Sequence, residues 1–155
     1  MTQSAYEFGV KHKSCILEER KEFDRLHPGQ GQAGFYAACQ NSVHLLWQLY
    51  KLPGKVLNLY RKQYIEIARR AAKRAEEYAA TSTDTKAAKY AGDAASFYSR
   101  AARPKYVIST TAVTRATDAA AYAAAAATDS VAAWQKELEL QAADIHELIP
   151  VWPGK

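Results

Sequence analysis

Apolar residues recur at steps of three and four along almost the whole chain, and the prolines mark where each run stops. Pro28, Pro53, Pro104 and Pro150 divide the chain, because a proline inside a helix lacks the N–H donor and clashes with the preceding turn. From Ala5 to Leu26 a loose stripe of Phe8, Cys15, Ile16, Glu19, Phe23 and Leu26 predicts a first helix. His27 to Gly34 (HPGQGQAG) reads as a loop. Phe35 to Lys51 then sets Ala38, Cys39, Val43, Leu46, Trp47 and Tyr50 at helical spacing, up to the stop in LPGK. Between Val56 and Ala80 the pattern is clearest. There Tyr60, Tyr64, Ile67, Ala68, Ala71, Ala75 and Tyr78 fall within one arc, with Lys62, Glu66, Arg69 and Lys73 opposite.

The polar cluster Thr81 to Thr85 interrupts that pattern and offers Thr83 or Asp84 as an N-cap for the next helix. In it Ala87, Ala91, Ala94, Tyr98 and Ala101 repeat at four and three. A last long pattern runs from Thr110 to Ile149, starting with Ala116, Ala120, Ala123 and Ala127 and ending with Val131, Trp134, Leu138, Ile145 and Ile149. The expected fold is all-α: one domain over residues 1–155, a bundle of five or six helices, with a loop at 27–34 and a C-terminal tail at 150–155. Few glycines and prolines, 7 and 5, argue against a β sandwich or barrel.

Composition sharpens this picture at one point. The chain of 155 residues holds 31 alanines, and many of them stand at the inward positions of the later helices. Inward alanines let helix axes approach toward the short end of the about 8–10 Å range, so close packing is expected of the helices near Lys86 to Ala101 and Thr110 to Ile149. Each such residue buries little area, so the aromatic side chains must supply much of the hydrophobic free energy. Gly92, inside a helix, suggests a close crossing. The two cysteines, Cys15 and Cys39, are too few for a disulfide framework and are expected to be free thiols. With no apolar run of membrane-spanning length and no leader-like start, the expected location is cytoplasmic.

Chemical motifs are sparse. Gly29, Gly31 and Gly34 spell G-x-G-x-x-G, but a charged helical segment rather than a strand precedes them, so they read as a turn. LPGKV lacks the remainder of a phosphate-binding loop. The four histidines stand apart, Cys39 and His44 have a poor spacing for two ligands, and Asp144 with Glu147 reads as a solvated helix face. No cofactor, metal or catalytic constellation is expected, and the chain reads as a non-enzyme.

Charge is more informative. The net charge is +5, and the surplus lies between residues 35 and 104, with twelve basic groups against five acidic. Six of them, Arg61, Lys62, Arg69, Arg70, Lys73 and Arg74, lie on the helix after Tyr60 and form a candidate partner-binding face, for an acidic protein surface or for nucleic acid. No aromatic interleaves them, which weakens a single-strand stacking mode. Trp134, Leu138 and Trp152 are the candidates for an exposed apolar patch, where a partner or a second copy forming a homodimer would dock.

The order ACQNSVHLLWQLYK, YRKQYIEIARRAAKRA, the tracts AAKYAGDAASFYSRAA and ATDAAAYAAAAATDSVAAW, and the closing WQKELELQAADIHELIP resembles the alanine-rich immunity proteins of bacterial polymorphic toxin systems. Alanine-rich phage proteins look similar. The resemblance covers about Ala38 to Pro150. It implies a helical protein that binds and neutralises another protein, a toxin or a defence factor, with no catalytic residues. The alternatives are nucleic-acid binding through the helix at 61–74 and a structural or assembly role.

Overall fold

The computed structural model describes residues 16–103 and 109–154. Among them are eight helices and no strand: α1 (Ile16–Leu26), α2 (Gly31–Ala38), α3 (Ser42–Tyr50), α4 (Gly54–Leu59), α5 (Arg61–Ala80), α6 (Thr85–Ala102), α7 (Thr110–Thr128) and α8 (Val131–Leu148). The all-α class stands, but the expected count of five or six was too low. Three of the continuous patterns are each cut in two. At Cys39–Asn41 the chain leaves helical geometry, and Asn41 restarts it by accepting hydrogen bonds from the backbone N–H groups of Val43 (2.9 Å) and His44 (3.2 Å). Asp129 adopts the left-handed conformation, φ 49°, which ends α7, and Ser130 caps α8 by accepting from Ala133 N–H. The third cut is at Tyr60, φ −106°, between α4 and α5.

The 27–34 loop is shorter than expected, since α2 already begins at Gly31. Gly29 and Gly31 have φ of 83° and 62°, so two glycines of the G-x-G-x-x-G string make the backbone turn into α2. As the cap pattern suggested, Asp84 accepts from Lys86 N–H at 2.8 Å at the start of α6. Residues before Ile16 lie outside the described residues, Phe8 and Cys15 of the first pattern among them.

Helices α5, α6 and α7 pack mutually, with α8 laid against α7 and α5, and α3 against α8. Two kinds of core result. Where α5, α6 and α7 meet, Ala71, Ala75, Ala94, Ala120 and Ala123 are wholly buried, walled by Tyr78, Tyr90 and Tyr98. At the other end, Tyr36, Leu45, Leu49, Tyr64, Ile67 and Ile145 form a core of larger side chains from α2, α3, α5 and α8. The close packing expected of the alanine helices is present, but Gly92 is no part of it: the glycine is exposed and a Cβ there would meet nothing within 4 Å. Phe23 of α1 and Phe35 of α2 pair in a small cluster of their own, ring centroids 5.4 Å apart.

The C-terminal tail caps the larger core. Tyr36 Oη donates to the Ile149 carbonyl at 2.6 Å, and the Trp152 ring sits 5.5 Å from the Tyr36 ring. Leu138, at 5% exposure, is buried. Trp134 and Trp152 flank opposite ends of α8, whose 18 residues span about 27 Å at 1.5 Å each. The expected patch of Trp134, Leu138 and Trp152 is therefore not a single surface.

Candidate binding groove

The basic helix divides in two. Lys62, Arg69 and Lys73 are exposed, as the helical wheel requires. Arg70 and Arg74 instead turn toward α8, where i, i+3 and i+4 spacing puts acidic residues on the facing side. Arg74 Nε donates to both oxygens of Glu137 at 3.0 Å, and its Nη1 donates to Asp144 at 2.8 Å. Arg70 reaches Asp144 at 3.2 Å and Glu147 at 2.8 Å, and also Glu66 at 3.2 Å within its own helix. Arg69 forks onto Glu66 at 2.6 and 2.7 Å, while Arg61 donates to the Arg103 carbonyl at 2.7 Å. Two arginines thus serve as cross-links between helices. Asp144 and Glu147, read from spacing as a solvated face, are the other half of that link.

The link ends in a buried polar network. Glu137 is fully buried and also accepts from Tyr78 Oη at 2.6 Å and Gln141 Nε2 at 3.1 Å. Gln141 donates to the Thr117 carbonyl of α7 at 2.8 Å and accepts from Ser42 Oγ of α3 at 3.0 Å. Burial would lower the Arg74 pKa, but the Glu137 and Asp144 carboxylates outweigh it and the net shift is upward. Burial, with the Glu137 carboxylate beside it, raises the Tyr78 phenol. Four helices meet in this network, and its charges neutralise one another.

The remaining chemical candidates are likewise engaged within the fold. His44 Nδ1 lies 2.7 Å from Glu19 Oε2, and His146 Nε2 lies 2.7 Å from the Cys39 carbonyl. Burial pushes the Cys39 thiol up to about 12, which suppresses the nucleophilic thiolate. Among the described residues no three His, Cys, Asp or Glu side chains cluster as metal ligands. Among the same residues no helix is long and apolar enough to cross a membrane.

Among the described residues, a groove of about 360 Å³ lies on the surface between α3 and α7. One wall is Val43, Leu46, Trp47 and Tyr50 of α3. The other is Thr111, Thr114, Arg115 and Asp118 of α7. Leu45, Leu46 and Leu49 face the core, whereas Val43 (40% exposed), Trp47 (37%) and Tyr50 (51%) face outward into the groove. The stripe that set the helical period in the sequence is therefore largely the outer face of α3. Lys51 Nζ stands 5.1 Å over the Trp47 ring at the rim. None of these residues was singled out as a site from sequence, although a signal was present: six of the nine residues of SVHLLWQLY are apolar. A helix apolar on all sides needs a second apolar neighbour.

The chain matches no protein-family model, no curated protein and no solved structure.

Proposed function

We propose that this protein is a non-catalytic binding protein that docks another protein in the α3/α7 groove and neutralises it, as its resemblance to the alanine-rich immunity proteins implies. The observation that carries the reading is the outward row of Val43, Trp47 and Tyr50 beside the open α3/α7 groove. Tryptophan and tyrosine in a half-desolvated groove are the side chains on which protein contacts most often depend, because each removes a large apolar area from water and keeps a polar edge for hydrogen bonding. A partner of the toxin or defence type fits this mode, in which contact alone blocks activity.

The nucleic-acid alternative loses most of its charge. Of the six cations on α5, Arg69, Arg70 and Arg74 are paired with carboxylates, and Arg61 is committed to a backbone carbonyl. Lys62 and Lys73 remain exposed without a carboxylate in ion-pair range among the described residues. Two lysines make a weak phosphate track.

Affinity capture from the native host with the full chain as bait tests the reading, run in parallel with a Trp47→Ala/Tyr50→Ala variant shown by circular dichroism to be folded. One stoichiometric protein, retained by the parent and lost by the variant, is the expected result. Equal capture by both would remove the groove from the reading. Recovery of nucleic acid alone, released steeply by salt, would replace protein binding with the alternative.

A further inference from the structure

Within the groove one charge stands apart. Asp118 projects from α7, half-buried, and has no hydrogen bond or ion pair among the described residues. Arg115, three residues earlier on the same helix, is at the ordinary spacing for a helical ion pair. Its guanidinium instead lies 5.6 Å over the Phe97 ring of α6, a ring that Arg100 shares at 5.2 Å. Lys51, the other cation at the rim, is drawn to the face of Trp47. Both neighbouring cations are thus engaged with aromatic rings. Burial raises the Asp118 carboxyl above its ordinary value, the signature of a carboxylate that loses water and gains no partner in return.

An unpaired carboxylate beside Trp47 and Tyr50 defines a complementary ligand. We infer that the segment docking in the α3/α7 groove presents a lysine or arginine to Asp118 with an apolar side chain beside it, seated on Trp47 and Tyr50. The inference rests on the docking reading above and names the chemistry of its partner. The groove's form favours a protein segment over an enclosed small molecule: it lies open along two helices, and Val43 to Tyr50 alone span roughly 10 Å of α3 at 1.5 Å per residue. A cation placed there would make a charge-assisted hydrogen bond in a partly desolvated site, where such bonds are stronger than at an open surface. The negative charge then ceases to be a cost.

Three probes with the same phenylpropyl carbon skeleton separate charge from apolar contact: 3-phenylpropylammonium chloride, neutral 3-phenylpropan-1-ol and sodium 3-phenylpropionate. Their binding to the full chain is followed by the indole N–H resonance of Trp47, assigned with a Trp47→Phe variant. The ammonium is expected to bind most tightly and the carboxylate least. Asp118→Asn should weaken the ammonium by about tenfold, the size of one charge-assisted bond, and leave the alcohol unchanged. The inference is overturned if the ammonium and the alcohol bind alike, if Asp118→Asn leaves the ammonium unaffected, or if none of the three perturbs Trp47. The two readings fail separately. Partner capture that survives Asp118→Asn but not Trp47→Ala/Tyr50→Ala keeps the docking site and removes the cation. Capture that survives both variants removes the docking site.

Discussion

Replacing Arg74 by methionine tests whether the α5/α8 cross-link holds the bundle together. Methionine keeps most of the unbranched stem, so apolar packing changes little and the substitution reports mainly on the lost guanidinium. What it leaves behind is Glu137, fully buried, with only Tyr78 Oη at 2.6 Å and Gln141 Nε2 at 3.1 Å as donors. Asp144 is less affected, because Arg70 still reaches it at 3.2 Å. Breaking one side of a buried ion pair costs about 3–5 kcal/mol, since the remaining charge stays desolvated without compensation. That is a large part of the stability of a domain this size.

A second substitution separates the pair from the site. Glu137→Gln in the Arg74→Met background removes the orphaned charge while leaving an amide oxygen for Tyr78 and Gln141, so the double variant should be more stable than Arg74→Met alone. Urea unfolding followed by far-ultraviolet circular dichroism measures all four species of the cycle, with m-values checked for constancy. A coupling energy of about 2 kcal/mol or more is expected. Arg74→Met costing under about 1 kcal/mol would place the pair among ordinary surface ion pairs and refute the cross-link. Additive losses in the double variant would do the same.

Four further outcomes follow from the packing and the charges. Gly92→Ala should stabilise by about 0.5–1 kcal/mol, because the new methyl group meets open space and the helix gains propensity, while Ala94→Leu or Ala123→Leu should cost about 1–3 kcal/mol by overpacking the closed α5/α6/α7 interface; thermal unfolding reads all three, and a neutral Ala94→Leu would mean a looser interface. Hydrogen bonds from Arg69, and then Arg70, hold the Glu66 carboxyl at about 2 against an ordinary 4.5. Its stabilisation is therefore present above the ordinary value and lost as pH falls toward about 2, so Glu66→Gln should flatten that part of the acid limb, and an unchanged slope would contradict the pairing. In a Cys15→Ser background, Ellman's reagent at about pH 8 should stay unreactive toward Cys39 until urea unfolds the chain; prompt labelling of the native protein would show that the thiol is reachable.

Long-range periodicity was legible where side chains are plain. The Tyr64, Ile67, Ala68, Ala71 and Ala75 arc is buried as its spacing requires, and so are Ala87, Ala91, Ala94 and Ala101. Helix breaks were harder to see because their signals are local. Asn41 and Ser130 are good N-cap residues, but each lies inside an apolar rhythm that continues in phase across the break. Tyr60 is no helix breaker by residue type, and only its backbone geometry, φ −106°, marks the cut. The pairing of charges is hidden for a different reason. A wheel separates apolar from polar residues on one helix, whereas the fate of Arg70 and Arg74 depends on which neighbour faces them, and Glu137, Asp144 and Glu147 lie more than sixty residues further on.

The groove itself is a consequence of the alanine core. Packing α5, α6 and α7 through alanine brings their backbones close but buries little apolar area per residue, so the larger side chains collect at the other end, on α2, α3, α5 and α8. Helix α3 supplies Leu45, Leu46 and Leu49 to that core from one side. Its opposite side carries Val43, Trp47 and Tyr50, and the neighbour it meets there is not another apolar helix. It is the polar edge of α7, whose Ala119, Ala120 and Ala123 pack toward α5 and α6 and whose Ala112, Val113 and Ala116 join the larger core, so that the wall facing the groove is Thr111, Thr114, Arg115 and Asp118. A helix that is apolar on two sides, set beside the polar edge of its neighbour, leaves a half-lined channel. The same small side chains that tighten one end of the bundle therefore leave the other end with aromatic surface to cover, and that surface is where a partner would complete the core.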